Sequence, residues 1–580
     1  MFCCPSCLRS RRVFLAADAP EPPTAPASNP PEPNPPAPDP PAQDTQATVA
    51  AAGTPGPRWI DVHCHVFNAI DLPISEFVDR TRLSSKLDLP IWPLVAILAG
   101  GLQKAAPSAS AEAAQLNGQD ALPPAPPPDR DIETALRAVA APQATAPRVA
   151  IRFAPAPSRG DAVLREALGL PADDGAPLTD AQYAQLVAHL QSDGSLLDIM
   201  TWANGFASPR NTLIDQLWEQ FDPGARVMLT PALVDYNRWL GIAEGSPAEQ
   251  AMTSLQNQLQ VMAAIARWRA REQGVPVFAF APFDPWRYLE DQKAHRPDML
   301  KVAGSFIEDG SIVGFKLYPP MGFAPAANDQ VPDDWFPQAL RDLVGPNVGE
   351  ALDRAMDDLF AYCVAADVPI MAHCANSEFP VAADEALTGA WGATPGYWAH
   401  ALAKYPNLRL NLGHFGGVWD FGAAARPAAT QQDRLDQQTA QQWARNIVSM
   451  MVNKPYPNLY ADVAFASSLL LARGDPEAQA AWTFLRDMLG GNPVLRQRLM
   501  YGSDWAMVGQ AADGNDYARH LVDGVADLFP DAAMEDFRWR NAARFLGLGA
   551  TDKTRVRLAK FLTDNDADPA ILAPFDPASP

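Results

Sequence analysis

The run Trp59-Ile60-Asp61-Val62-His63-Cys64-His65 sets two histidines one residue apart at the end of an apolar segment. Successive side chains on a strand alternate faces, so His63 and His65 share a face and together can grip one metal ion. Other ionisable residues stand in comparable places. His373 closes Pro369-Ile370-Met371-Ala372-His373-Cys374, and His414 closes Leu410-Asn411-Leu412-Gly413-His414. Asp504 follows Met500-Tyr501-Gly502-Ser503, and Lys316 lies in Gly314-Phe315-Lys316-Leu317-Tyr318-Pro319. A lone histidine among apolar residues is ordinarily a hydrogen-bonded core residue. Here four of the chain's eight histidines end apolar runs, and an aspartate ends another, a pattern that points to metal-assisted chemistry. The other four, His189, His295, His400 and His520, fall in helix or loop patterns and are read as ordinary.

Such residues converge only if the runs that carry them are the strands of one sheet. Short apolar runs alternate with longer helical patterns from His63 onward, as βα units do. The expected strands are Trp59–His65, Val227–Val234, Val275–Ala281, Ile312–Tyr318, Pro369–Cys374, Leu408–His414, Leu459–Phe465 and Leu499–Asp504. Eight parallel strands alternating with helices close most simply into a (β/α)8 barrel, whose chemistry sits at the C-terminal strand ends. Ser246-Pro247-Ala248-Glu249 reads as a capping box opening a long amphipathic helix through Leu255, Leu259, Val261, Met262, Ile265 and Trp268. Gly349–Ala366 reads as another, with Leu352, Met356, Leu359, Phe360 and Val364 on its apolar side.

The domain organisation follows from composition. Residues 1–57 hold a cysteine cluster and a proline-rich stretch with almost no large apolar side chains, and are expected to form a disordered tail. The barrel spans 58–550, with a large insertion at 66–226 between the first two strands read as a cap over its mouth; 551–580 is a C-terminal extension. Within the insertion, Ala-, Pro- and Ser-rich 104–147 is expected to be flexible, and Asp180–Gln191 and Asn211–Phe221 look helical. A net charge of −22 argues against nucleic acid, which demands clustered Lys and Arg. No apolar run is long enough for a membrane span. Cys64, Cys363 and Cys374 lie in apolar patterns as reduced core thiols, while Cys3, Cys4 and Cys7 crowd the tail. Ser10-Arg11-Arg12-Val13-Phe14-Leu15 looks like a twin-arginine export motif, but no apolar segment follows it, so a cytoplasmic location is expected.

The order of these strand-end residues resembles the amidohydrolase superfamily, and more narrowly its amidohydrolase-related branch, over Trp59 to Leu548. Asn541-Ala542-Ala543-Arg544-Phe545-Leu546-Gly547-Leu548 is similar to the closing helix of that branch. The resemblance implies His63, His65, His373 and Asp504 as metal ligands, with Asp504 also the acid/base. His414 is then a second-metal ligand or a substrate-facing catalytic residue. It implies one zinc per chain, with Lys316 holding an anionic substrate group; the alternative is two metals bridged by a carboxylated Lys316. Asp61 shares the parity of His63 one layer deeper, where it is either an outer partner of a ligand or a buried structural acid.

Metal-activated water acting on a C–N, ester or lactone bond of a small aromatic or apolar substrate is the leading expectation. Tyr318, Trp286, Arg287 and Trp505, at or just past strand ends, are the candidate substrate contacts, and Arg238 is placed like Arg287 to bind a carboxylate. One rival is a zinc-dependent non-oxidative decarboxylase of an aromatic or unsaturated acid, known within the same branch. The other is a barrel without catalysis that serves as a binding protein. A homodimer is the expected assembly.

Overall fold

The computed structural model describes residues 56–73, 106–118, 206–376, 390–453, 456–472, 474–505, 517–526 and 531–579, with isolated positions at 76, 103 and 529. Eight parallel strands follow one another in chain order. They are β1 (Arg58–Cys64), β2 (Arg226–Pro231), β3 (Ala279–Pro282), β4 (Ile312–Leu317), β5 (Ile370–Ala375), β6 (Leu410–Gly416), β7 (Leu459–Asp462) and β8 (Leu499–Met500). The ladder is continuous from β3 to β8 and from β1 to β2. Isolated bridges Leu229–Val277 and Ala232–Phe280 join β2 to the β3 segment. From β8 to β1 the backbone is stitched by Val62 N to Tyr501 O (3.5 Å), Asp504 N to His63 O (2.7 Å) and His65 N to Trp505 O (2.5 Å).

The result is a (β/α)8 barrel. One apolar cluster draws Ile60, Met228, Phe280, Val313, Met371, Tyr460 and Met500 from seven strands together with Trp539, Phe545 and Leu546 of the closing segment. Residues from so many strands meet in one cluster only when the sheet wraps round a common axis. The segment read from sequence as an extension belongs to that core: Leu558, Phe561, Leu562, Leu572 and Phe575 are buried in the same cluster.

Local chemistry explains most element boundaries and corrects two expectations. Ser246 does cap a helix, accepting from Glu249 N at 3.2 Å, but that helix is the single turn Pro247–Gln250. The long helix is Leu255–Gln273, capped independently by Ser254 Oγ on Asn257 N (3.3 Å) and stopped by Gly274 at φ 67°. Val348–Ala366 buries Leu352, Met356, Leu359, Phe360 and Cys363, whereas Val364, expected on the same side, is 38% exposed. A 100° advance per residue carries position 364 out of the stripe that ends at Cys363. Its start is capped from another loop, Asp333 accepting from the Asn347 and Val348 amides.

Inside the stretch expected to be flexible, Ala109–Leu116 forms a helix capped by Ser108. Arg210–Trp218 is the helix foreseen near Asn211, burying Leu213, Ile214 and Leu217. The two are tied by Arg210, fully buried, which reaches Asp71 Oδ2 (2.8 Å), Glu112 Oε2 (3.1 Å), Asn68 Oδ1 (3.2 Å) and Thr253 Oγ1 (3.3 Å). The segments 1–55 and Asp180–Gln191 lie outside the described residues. Cys64, Cys363 and Cys374 are buried free thiols. Among the described residues no helix is long and apolar enough to cross a membrane.

Candidate metal centre

His63 and His65 project from the C-terminal end of β1, and the strands around them are shaped to receive them. Gly413 and Gly502 lie against the His63 ring. A Cβ at Gly413 would stand 2.9 Å from His63 Cε1, and one at Gly502 would stand 2.9 Å from His63 Cβ. Neither position admits a side chain while His63 is in place. Beyond β6, His414, Phe415, Gly416 and Gly417 all have positive φ (66°, 46°, 83° and 113°), and Asp504 beyond β8 has φ 53°. Left-handed backbone at non-glycine residues is strain that surrounding structure must hold, and it clusters at functional sites.

This backbone brings seven of the expected residues together. His65 Nε2 is 3.3 Å and His63 Nε2 3.9 Å from Asp504 Oδ1. The His414 ring centroid lies 4.6 Å from that of His63 and 4.5 Å from that of His373. Lys316 is buried, with Nζ 2.9 Å from His63 Nε2. Tyr318 packs its ring 4.6 Å from His373 and 5.0 Å from Tyr236.

The outward nitrogens fix how the rings present themselves. His65 Nδ1 faces Ala232 O at 2.8 Å and His414 Nδ1 faces Ala464 O at 3.0 Å. A carbonyl oxygen only accepts, so both Nδ1 atoms carry the proton and both Nε2 lone pairs are bare. His63 Nδ1 meets Asp462 Oδ2 at 3.0 Å, which sets the same tautomer. Burial pushes the His63 imidazole down to about 3, helped by the Lys316 ammonium against the pull of Asp462. Burial likewise lowers His373 and His414, so these rings are neutral near pH 7. Burial works to raise the Asp504 carboxyl, but the surrounding histidines, His65 foremost, overcome it and hold it at about 2.

Asp462, at the end of β7, is the residue that sequence reasoning missed. Its Oδ2 accepts from His63 Nδ1 and from Asn411 Nδ2 (2.6 Å), and its Oδ1 from the amides of His414 and Ala464 (3.0 Å each). These contacts hold it ionised, well below the ordinary carboxylate range in spite of burial. The available signal was its place as the one charged residue inside the seventh apolar run, Leu459–Phe465.

The structure chooses between the two readings of Asp61 and corrects those of Arg287 and Trp286. Asp61 touches no imidazole: it accepts from Ser503 Oγ (2.6 Å), Ser503 N (3.1 Å) and His63 N (3.3 Å), pinning β1 to the β8 segment. Burial raises its carboxyl to about 7. Arg287 is engaged by Asp235 (2.5 Å) and Glu249 (3.4 Å), and Arg238 by Glu290 and Glu249 (2.7 and 2.8 Å). Trp286 packs edge-on against Trp239, 5.1 Å between centroids. Trp505 stays at the site, its carbonyl accepting from His65 N.

The donor set suits a divalent cation. His63, His65 and Asp504 offer ligand atoms within 4.8 Å of one another, and so do His63, His414 and Asp462. His63, His65 and His414 each turn Nε2 inward with Nδ1 held by an outer hydrogen bond, an arrangement that metal-binding histidines require. Asp504 Oδ2 is buried with no hydrogen-bond partner among the described residues, an orphan that a cation would satisfy.

The amidohydrolase family model matches residues 250–548. No curated protein matches the chain. Among solved structures, the chain is similar to an amidohydrolase from Burkholderia multivorans with bound zinc, at 12% identity and TM-score 0.33, covering 60% of this chain and 91% of that one. It is similar to a probable 2-pyrone-4,6-dicarboxylic acid hydrolase from Acinetobacter baumannii at 14% identity and TM-score 0.31, covering 58% and 88%. A dihydroxybenzoic acid decarboxylase from a Polaromonas species, with bound manganese, gives 13% identity and TM-score 0.30 over 67% and 94%.

Proposed function

The chain belongs to the amidohydrolase family, and from that premise we propose a metal-dependent hydrolase in which His63, His65, His373 and Asp504 hold one zinc ion. The observation that carries this reading is the shared tautomer. Partners outside the cluster take the Nδ1 protons of His63 and His65, and their Nε2 atoms face Asp504 Oδ1 at 3.9 and 3.3 Å. A divalent ion there supplies a Lewis acid for a substrate oxygen and acidifies nearby water.

The chain's own groups do the rest. Asp504, ionised and with Oδ2 unengaged, takes a proton from the attacking water and returns it to the departing nitrogen or oxygen. His414, held as the Nδ1–H tautomer, turns an acceptor inward and therefore suits a ligand or a base, not a donor to developing negative charge. That donor is Lys316, whose ammonium also suits an acidic group on the substrate. Tyr318 against His373, with Trp505 beyond Asp504, favours a small aromatic or apolar substrate with a C–N, ester or lactone bond.

Metal content of the purified full chain tests the reading, wild type beside Lys316→Ala and His63→Ala, together with turnover of aromatic amides, esters and lactones. About one zinc per chain is expected, kept without Lys316 and lost without His63. Two ions per chain, falling when Lys316 is removed, would replace it with a bridged two-metal centre. Carbon dioxide released from an aromatic acid would make it a decarboxylase. No metal, even after reconstitution, would refute it.

A further inference from the structure

At the opposite end of the barrel, where β6, β7 and β8 begin, the surface opens into a pocket of about 550 Å³. Three guanidiniums line it: Arg409 just before β6, Arg498 just before β8 and Arg544 in the closing helix Asn541–Leu546. Between them lies the buried Tyr460, with Arg498 over its ring at 5.0 Å. Burial raises the Tyr460 phenol, and Arg498, Arg409 and Arg544 all act against that rise, an independent sign that the three cations converge on one point. Asp536 and Asp552 line the same cavity.

The cations are not equally committed. Arg409 is held bidentate by Asp367 (2.6 and 3.2 Å). Arg544 shares Asp536 with Arg540, both at 3.3 Å, and is 38% exposed. Arg498 donates to Pro457 O and has no carboxylate partner among the described residues. A planar guanidinium fork matches carboxylate or phosphate oxygens, and a cavity of this size suits a small metabolite. The two wall carboxylates would repel a bare oxyanion but accept from hydroxyls on its body.

We propose that this cavity is a binding site for a small hydroxylated oxyanion, a phosphate ester or a hydroxycarboxylate. Its anionic head pairs with Arg498 and Arg544 while its hydroxyls donate to Asp536 or Asp552. The three strands that start at this cavity lead toward His414, Asp462 and Asp504 at the other end of the barrel.

The test is titration calorimetry on the full chain with glycerol phosphate, malate and inorganic phosphate, using wild type, Arg498→Gln, Arg544→Gln and His414→Ala. Saturable binding of glycerol phosphate or of malate is expected, and which of the two binds identifies the head group. Each arginine substitution should weaken it about tenfold or more, the loss of one charge-assisted hydrogen bond. His414→Ala should leave it unchanged. Should Arg498→Gln fail to fold, the partly exposed Arg544 decides. The proposal is overturned by no saturable binding of any probe, or by binding that ignores both arginine substitutions. Binding abolished in His414→Ala, or inorganic phosphate binding as well as the hydroxylated probes, also overturns it.

Discussion

Replacing Asp462 by asparagine is the most informative single change at the metal centre. The carboxylate has four donors: His63 Nδ1 and Asn411 Nδ2 on one oxygen, the His414 and Ala464 amides on the other. Asparagine offers one oxygen and one NH2, so whichever way it turns, two of these donors face another donor. If the oxygen stays with the backbone amides, the NH2 donates to His63 Nδ1 and drives the ring proton to Nε2. The lone pair that would hold the metal is then gone. Outer-shell substitutions of this kind typically cost about 10- to 100-fold in metal affinity, and the tautomer switch places Asp462→Asn at the upper end. Unsatisfied buried donors cost about 1–3 kcal/mol each, so the metal-free protein should lose stability as well. Competition with a chromogenic chelator measures the affinity, and urea unfolding of the metal-free protein measures the stability. Zinc affinity within about threefold of wild type would refute the reasoning, because it would mean that Asp462 does not set the His63 tautomer.

Gly413→Ala puts a methyl 2.9 Å from His63 Cε1 and 3.1 Å from Ala372 O. Overpacking of this kind should destabilise by about 1–3 kcal/mol and lower metal content, seen by thermal unfolding and mass spectrometry. Arg210→Met leaves Asp71 and Glu112 as buried unpaired acids and should cost about 3–5 kcal/mol in urea unfolding; a loss under about 1 kcal/mol would show the cluster to be incidental. Asp284 is a buried carboxyl raised to about 7, mainly by burial and then by Asp235. Its native form binds the proton more tightly than the unfolded chain does, so this group erodes stability as pH rises from about 4 through about 7. Asp284→Asn should therefore gain on the wild type across that window in denaturation midpoints, and a constant difference would contradict it.

The strands were legible because an apolar run buried on both faces needs little else to declare it, and all eight stand within a few residues of where the pattern puts them. The ligand histidines were legible because each ends such a run. Helix detail was less so. Ser246 and Ser254 carry equally good caps eight residues apart, and composition does not say that the chain breaks between them. Asp462 escaped notice because its importance lies in contacts with His63, Asn411 and His414, all distant in sequence. For Asp61 the parity leaves two roles open, and contacts distant in sequence select the structural one. Its parity suits an imidazole partner, but Ser503 and the backbone of the β8 segment reach it first. Gly413 and Gly502 read as ordinary turn glycines until the ring they accommodate is seen.

The seam between β1 and the β8 segment has a consequence for how the molecule is made. Asp61 meets Ser503 across 442 residues of chain, and His65 and Asp504, two of the proposed metal ligands, lie on the two sides of the same seam. Contacts this distant in sequence form late, since the loop they close must be ordered first. On a ribosome, a chain that has emerged only as far as β7 holds its histidine pair with neither its aspartate nor the backbone staple that positions it. A product truncated before β8 therefore lacks the assembled cluster, whose formation waits on closure of the ring.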